Sequence, residues 1–357
     1  MKYNFSAGPA ILPKEVFQEA AQAVMDYNGT GLSLLELSHR GPEFTAILKE
    51  AVRLPLEILG LNKEEYQCLY LTGGASSQFY MTAMNLLKDG YKGYYLDTGT
   101  WSAKAIKEAK LFGEVEVLSS SKDEGYNYIP KTAYSTSGNG YLHYTSNNTI
   151  FGTQYHHLPA HENLDLICDM SSDIFSRPLK GKDYGIIYAG AQKNLGPAGT
   201  TLVIIKKALL GKINGGLTSM LDYNTHISKN SSFNTPPVFP IYVSLLTMQW
   251  IIKNGGVDAM EKRNQEKADT LYAEIDRNSL FKGFAAKEDR SIMNATFTIS
   301  NKDLELSFLE ECTQAGIVGI IGHRSVGGFR ASIYNAMDIE GINKLVEIMQ
   351  AFEAKNK

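Results

Sequence analysis

Apolar and polar positions alternate along this chain in two rhythms. Short apolar runs at residues 66–71, 93–97, 114–118, 140–145, 164–169, 185–189 and 201–205 have the length and bounding turn residues of β-strands. Between and around them, residues 14–28, 43–59, 79–87, 103–111, 241–253 and 257–276 repeat with the period of amphipathic helices, and Pro13 stands at the first turn of the earliest one. Strands alternating with helices, without long repeats or low-complexity tracts, predict an α/β fold: a mostly parallel sheet sandwiched by helices. From residue 291 the pattern changes to strand 294–300, helix 304–315, strand 317–320, strand 328–334 and helix 339–354, a small α+β unit. The expected organisation is an N-terminal segment 1–15 joining the small unit, a large domain 16–256 and a small C-terminal domain 257–357. The charged helix 257–276 forms the bridge.

Composition narrows the function. A chain of 357 residues can bury a large core. Its net charge of −3 provides no basic field for nucleic acid. No run approaches the roughly 18 apolar residues of a membrane span, and the N-terminus lacks the apolar stretch of a signal peptide. Cys68, Cys168 and Cys312 are far apart and read as reduced core thiols of a cytoplasmic protein, not as a disulfide or metal framework.

In an open parallel sheet, functional groups gather at the carboxyl ends of the strands. Asp169 closes one strand, and Lys193 follows the next within Gly190-Ala-Gln192-Lys193-Asn194. One strand and its connections separate them, so both can reach the same sheet edge. A lysine and an acid so placed suit pyridoxal 5'-phosphate: the amine forms a Schiff base and the acid keeps the pyridine nitrogen protonated. The strand 66–71 runs into Gly73-Gly74-Ala75-Ser76, a glycine-rich entry to a helix of the kind that cradles phosphate. Trp101, at another strand-to-helix junction, can stack on a flat ring or anchor the core. His39-Arg40 and His323-Arg324, with Arg330 close by, place arginine forks where a carboxylate or phosphate could be gripped.

Taken jointly, these motifs resemble the phosphoserine aminotransferase family, fold-type I enzymes of the class V aminotransferase group. The resemblance runs the length of the chain. It rests on Asn4-Phe-Ser-Ala-Gly-Pro9, Ser38-His39-Arg40, Gly73-Gly74-Ala75, Thr98-Gly-Thr-Trp101-Ser102, Cys168-Asp169-Met-Ser-Ser172 and Gly190-Ala-Gln192-Lys193-Asn194. Asn234-Thr235-Pro236-Pro237, Gly322-His323-Arg324 and Arg330-Ala-Ser-Ile-Tyr-Asn335 complete it. It implies a homodimeric enzyme that moves an amino group, by a ping-pong route in serine biosynthesis, between glutamate and 3-phosphohydroxypyruvate. The products are 2-oxoglutarate and phosphoserine, and the related substrate of pyridoxine biosynthesis is a second candidate. By the same resemblance Lys193 and Asp169 are catalytic. Ala75, Ser76, Trp101, Thr149 and Gln192 hold the cofactor, joined by Asn234 and Thr235 of the other subunit. Arg330 takes the substrate's α-carboxylate, while His39, Arg40, His323 and Arg324 form the distal anion pocket. Some members carry arginine where this chain has Ser76, which implies a different phosphate grip there. The alternatives are another class V enzyme: a cysteine desulfurase would need an exposed reactive cysteine, and an alanine–glyoxylate aminotransferase gives no reason for two His-Arg pairs.

Overall fold

The structure is a computed structural model that describes residues 2–357 except 132, 133, 135, 137 and 162. Its centre is a seven-stranded sheet in the spatial order Tyr66–Gly73, Gly199–Lys206, Tyr184–Gly190, Asp165–Asp169, Gly140–Thr145, Lys92–Asp97 and Val115–Ser120. Gly199–Lys206 runs antiparallel to both neighbours, and every other adjacent pair is parallel. Gly140–Thr145 and Tyr184–Gly190 are buried at every position, as strands covered on both faces must be.

Because side chains alternate along a strand, the sheet divides its apolar residues between two cores. Cys68, Tyr70, Leu142, Leu166 and Ile187 pack under the helices Lys14–Met25, Pro42–Ile58 and Val238–Lys253. Leu69, Leu71, Tyr141, Ile167, Ile186 and Tyr188 face the helices Ala75–Leu86 and Thr100–Ala109. The expected α/β sandwich is therefore the observed one. All three cysteines are free and buried, and burial raises the Cys312 thiol to about 12 and the other two well above the usual thiol range.

A third core lies under a three-stranded antiparallel sheet of Phe281–Gly283, Asn294–Ile299 and Phe329–Ser332. Phe281, Phe297, Phe308 and Phe329 meet there ring against ring, and Phe5 joins the same core fully buried. Residues Tyr3–Asn4 pair in parallel with Ile317–Val318. The helix Gly256–Arg277 contributes Met260 to the first core and Ala268, Leu271 and Ile275 to the third. Among the described residues no helix is long and apolar enough to cross a membrane.

Several boundaries differ from the sequence reading. The helices expected from residues 79 and 103 begin at Ala75 and Thr100, so the small hydroxyl residues read as loop form their first turns. The expected strand 317–320 stops at Val318 because Gly319 adopts φ 75°, where a Cβ would lie 2.2 Å from Ser6 Oγ. The strand expected over 328–334 is confined to Phe329–Ser332.

Candidate functional site

The mutually parallel strands end along one edge, at Gly73, Asp97, Thr145, Asp169 and Gly190, and the site is built there. Asp169 is 4 % exposed. Its Oδ1 accepts the Ser171 backbone N–H at 2.9 Å and the Ser171 hydroxyl at 2.6 Å. Among the described residues no hydrogen bond reaches Oδ2, which leaves one carboxylate oxygen for a ligand. Burial raises the Asp169 carboxyl above its ordinary value, and the nearby Lys193 cation and Ser171 oppose that rise.

Lys193 stands on a tight turn after Tyr184–Gly190, closed by the N–H groups of Leu195 and Gly196 donating to the Ala191 carbonyl. Its Nζ donates to Thr149 Oγ1 at 2.9 Å and lies 5.1 Å from the Trp101 ring centroid. The side chain is half-buried. Burial lowers the amine to about 8, Asp169 pulls it back up, and Arg330 pushes it down. An amine in that range is deprotonated at far lower pH than an ordinary lysine and is a usable nucleophile.

The helix Ala75–Leu86 offers its unpaired first-turn N–H groups at Ala75 and Ser76, behind Gly73 at φ 115° and the extended Gly74. A Cβ on Gly190 would stand 3.0 Å from Gln192 Oε1 and 3.2 Å from the Ala75 nitrogen. Glycine at 190 therefore keeps a small cradle open between Gln192 and the helix. In this region two buried polar atoms, Trp101 Nε1 and Arg330 Nε, have no hydrogen-bond partner among the described residues. An open cradle of N–H groups, a free carboxylate oxygen, a tryptophan face and a reactive amine together fit a flat, phosphorylated pyridine aldehyde.

On the other wall, Arg330 is half-buried on the strand Phe329–Ser332, and burial lowers its guanidinium from the ordinary value without removing the charge. His323 and Arg324 lie on the turn just before, where the His323 ring bonds Ser325 at 2.7 Å. His323 is held below its ordinary value by burial first, then by Arg330, Arg324 and Lys104. This is a cluster of cations with no facing carboxylate among those causes, and it suits an anionic ligand.

The structure thus brings Asp169, Lys193, Thr149, Trp101, Gln192, Ala75, Ser76, Arg330, His323 and Arg324 to one region. It does not tie His39, Arg40, Asn234 or Thr235 to them through any hydrogen bond or ion pair among the described residues. Arg40 and Thr235 are exposed and His39 and Asn234 partly so. Sequence reasoning missed three contributors. Ser171 orients Asp169 and also accepts the Gly190 N–H at 3.1 Å. Lys104 sits one turn beyond Trp101, with Nζ 4.8 Å from its ring centroid. Gly8 lies against the Lys193 stem, 3.4 Å separating its would-be Cβ from Lys193 Cγ. The i, i+3 spacing of Trp101 and Lys104 was the one legible sign among these.

Comparison with known proteins agrees with this geometry. The model of the family described as aminotransferase class-V matches residues 2–345. The chain is 57 % identical over 354 residues to the phosphoserine aminotransferase of Flavobacterium psychrophilum, covering 99 % of each chain. It is 53 % identical to that of Bacteroides fragilis, again over 99 % of each. Among solved structures, the phosphoserine aminotransferase of Bacillus circulans subsp. alkalophilus superimposes with a TM-score of 0.97 at 43 % identity, covering 100 % of this chain and 99 % of that one. The pyridoxal-phosphate-bound phosphoserine aminotransferase of Trichomonas vaginalis gives 0.92 at 35 %, covering 98 % and 100 %. With full-length identity well beyond what a shared fold requires, and with the amine, acid and arginine of its site in place, the chain belongs to the class V aminotransferases, in the phosphoserine aminotransferase family.

Proposed function

We propose that the protein exchanges an amino group between phosphoserine and 2-oxoglutarate, giving 3-phosphohydroxypyruvate and glutamate and the reverse, as the transamination step of serine biosynthesis. The observation that carries this is the Lys193 amine held by Thr149 between Trp101, Asp169 and Arg330. When bound, pyridoxal phosphate supplies an aldehyde carbon for covalent attachment and a ring that accepts electrons from the substrate. Ala75, Ser76 and Gln192 would hold its phosphate, Trp101 its ring face, and Asp169 Oδ2 its ring nitrogen. With Oδ1 committed to Ser171, that second oxygen is fixed in direction, and burial strengthens its attraction for a cation.

Lys193 Nζ, steadied by Thr149 Oγ1, is the base that takes the substrate's Cα proton. Arg330 grips the α-carboxylate that both amino donors share. His323 and Arg324 receive the distal group, a phosphate in one substrate and a carboxylate in the other, so one site serves both halves of a ping-pong exchange. His39 and Arg40 join the distal pocket, and Asn234 and Thr235 complete the cofactor site from a second copy, which makes the working unit a homodimer. The organising division is 16–256 and 257–357, with 1–15 joining the latter.

Borohydride reduction of the cofactor-loaded protein followed by peptide mass mapping tests the reading. The label is expected on Lys193, and Lys193→Ala should lose the cofactor's visible absorbance and all turnover. Phosphoserine and glutamate should each bleach the wild-type absorbance, and alanine should not. A label on another residue, or normal rates in Lys193→Ala, overturns the assignment. Bleaching by alanine alone would favour the alanine–glyoxylate alternative.

A further inference from the structure

Directly after the Asp169 turn, residues 174–176 run through the middle of the molecule with Ile174, Phe175 and Ser176 all at most 1 % exposed. Phe175 adopts φ 58°, a left-handed conformation uncommon for a bulky residue. That kink prevents the three carbonyls from joining a helix or sheet ladder, and buried carbonyls need partners. Each is met by an asparagine amide from a different part of the chain. Asn194 Nδ2 donates to Ile174 O at 2.6 Å, Asn335 Nδ2 to Phe175 O at 2.9 Å, and Asn264 Nδ2 to Ser176 O at 3.0 Å.

The asparagines also bond one another. Asn194 Oδ1 accepts the Asn335 backbone N–H at 3.0 Å, and Asn335 Oδ1 accepts from Asn264 Nδ2 at 2.8 Å. All three are at most 4 % exposed. One turn further along the Asn264 helix, the fully buried Lys267 donates to the carbonyls of Ile333 and Tyr334 at 2.8 and 2.7 Å.

The origins of these side chains give the cluster its meaning. Asn194 adjoins Lys193, Asn335 follows the Arg330 strand, and the carbonyls belong to the segment leaving Asp169. Among the described residues no hydrogen bond holds the Arg330 guanidinium, whose Nε is buried, so it inherits its position from its backbone. We infer that Asn194, Asn335 and Asn264 are positioning residues that fix the Arg330 strand against the Lys193 turn, and so set where the α-carboxylate of either substrate lies relative to the lysine amine. The inference rests on the function proposed above. The small residues at stake do not touch substrate; they act through Arg330 and Lys193.

Asn335→Ser and Asn194→Ser, as cofactor-loaded proteins, test this against a purely structural role. Two inert probes are titrated by calorimetry: maleate, a dicarboxylate that needs Arg330 and the distal pocket, and inorganic phosphate, which needs the distal pocket alone. Misplacement by a fraction of an ångström to 1 Å should weaken maleate by about tenfold or more. Phosphate affinity should stay within about twofold, since His323 and Arg324 share one turn and keep their mutual geometry when the strand shifts. Phe352→Leu, a change in the third core that removes none of the clasp's hydrogen bonds, serves as a control for lost thermal stability and should keep both affinities. Maleate binding unchanged in the folded variants, maleate and phosphate weakening together, or the same loss in Phe352→Leu would each overturn the inference. Asn264→Ser removes only the outer member and should give a smaller loss of maleate affinity; wild-type affinity there overturns it too, so the test stands even where the inner variants do not fold. A wild-type protein that binds maleate but is not bleached by phosphoserine or glutamate removes the proposed function instead, and leaves the maleate comparison to judge the clasp alone.

Discussion

Lys193 must be both enclosed and reactive, and its surroundings reconcile the two demands. Burial lowers its amine to about 8 against the pull of Asp169, while Thr149 keeps it aimed. Its folded value lies below the ordinary 10.5, so the folded chain gives up this proton before the unfolded chain does. The unfolded state then binds more protons between those values, and stability rises with pH across that window. The cofactor-free protein should therefore gain stability as pH climbs from about 8 to 10.5, a gain that Lys193→Met should remove in denaturant titrations. The rate at which the cofactor-free protein takes up pyridoxal phosphate should rise through about pH 8 and then level off, read by stopped-flow absorbance. A rate flat across that range would mean that the amine is not the titrating group.

At the scale of elements, the strand ends and helix starts do the work. Gly190, at the end of its strand, leaves the gap between Gln192 and Ala75 that a phosphate would occupy. Gly190→Ala should overfill it at a cost of about 1–3 kcal/mol, weakening cofactor binding by about tenfold or more in equilibrium dialysis, with the fold retained. The inner strands were legible because burial on both faces writes them as nearly continuous apolar runs, and Asp169 and Lys193 could be placed from those runs. The helix starts were read late. Ala75-Ser-Ser77 and Thr100-Trp101-Ser102 use small hydroxyl residues that spell loop as readily as first turn. Ser171 stood inside a recognised motif yet had no assigned role, since nothing in spacing says which oxygen of Asp169 it engages. The asparagine clasp was less legible still: Asn335 and Phe175 meet only because two distant elements pack together.

For the whole molecule, the first residues belong with the last hundred. Tyr3–Asn4 pairs with Ile317–Val318, Phe5 is fully buried among the phenylalanines of the third core, and Gly8 then reaches the Lys193 stem. Phe5→Ala should cost about 3–5 kcal/mol in chemical denaturation, comparable with losing any central phenylalanine of a large core. A change near zero would mean that the N-terminal strand is ornamental.

That pairing has a bearing on how the protein is made. The strand Tyr3–Asn4 leads into Gly8 beside Lys193, but its partner at 317–318 is translated long after it. A nascent chain already displaying the lysine, the acid and the phosphate cradle still lacks both Arg330 and the tether for its own beginning. Maturation of the catalytic cleft thereby waits on a long-range pairing between the two parts of the chain.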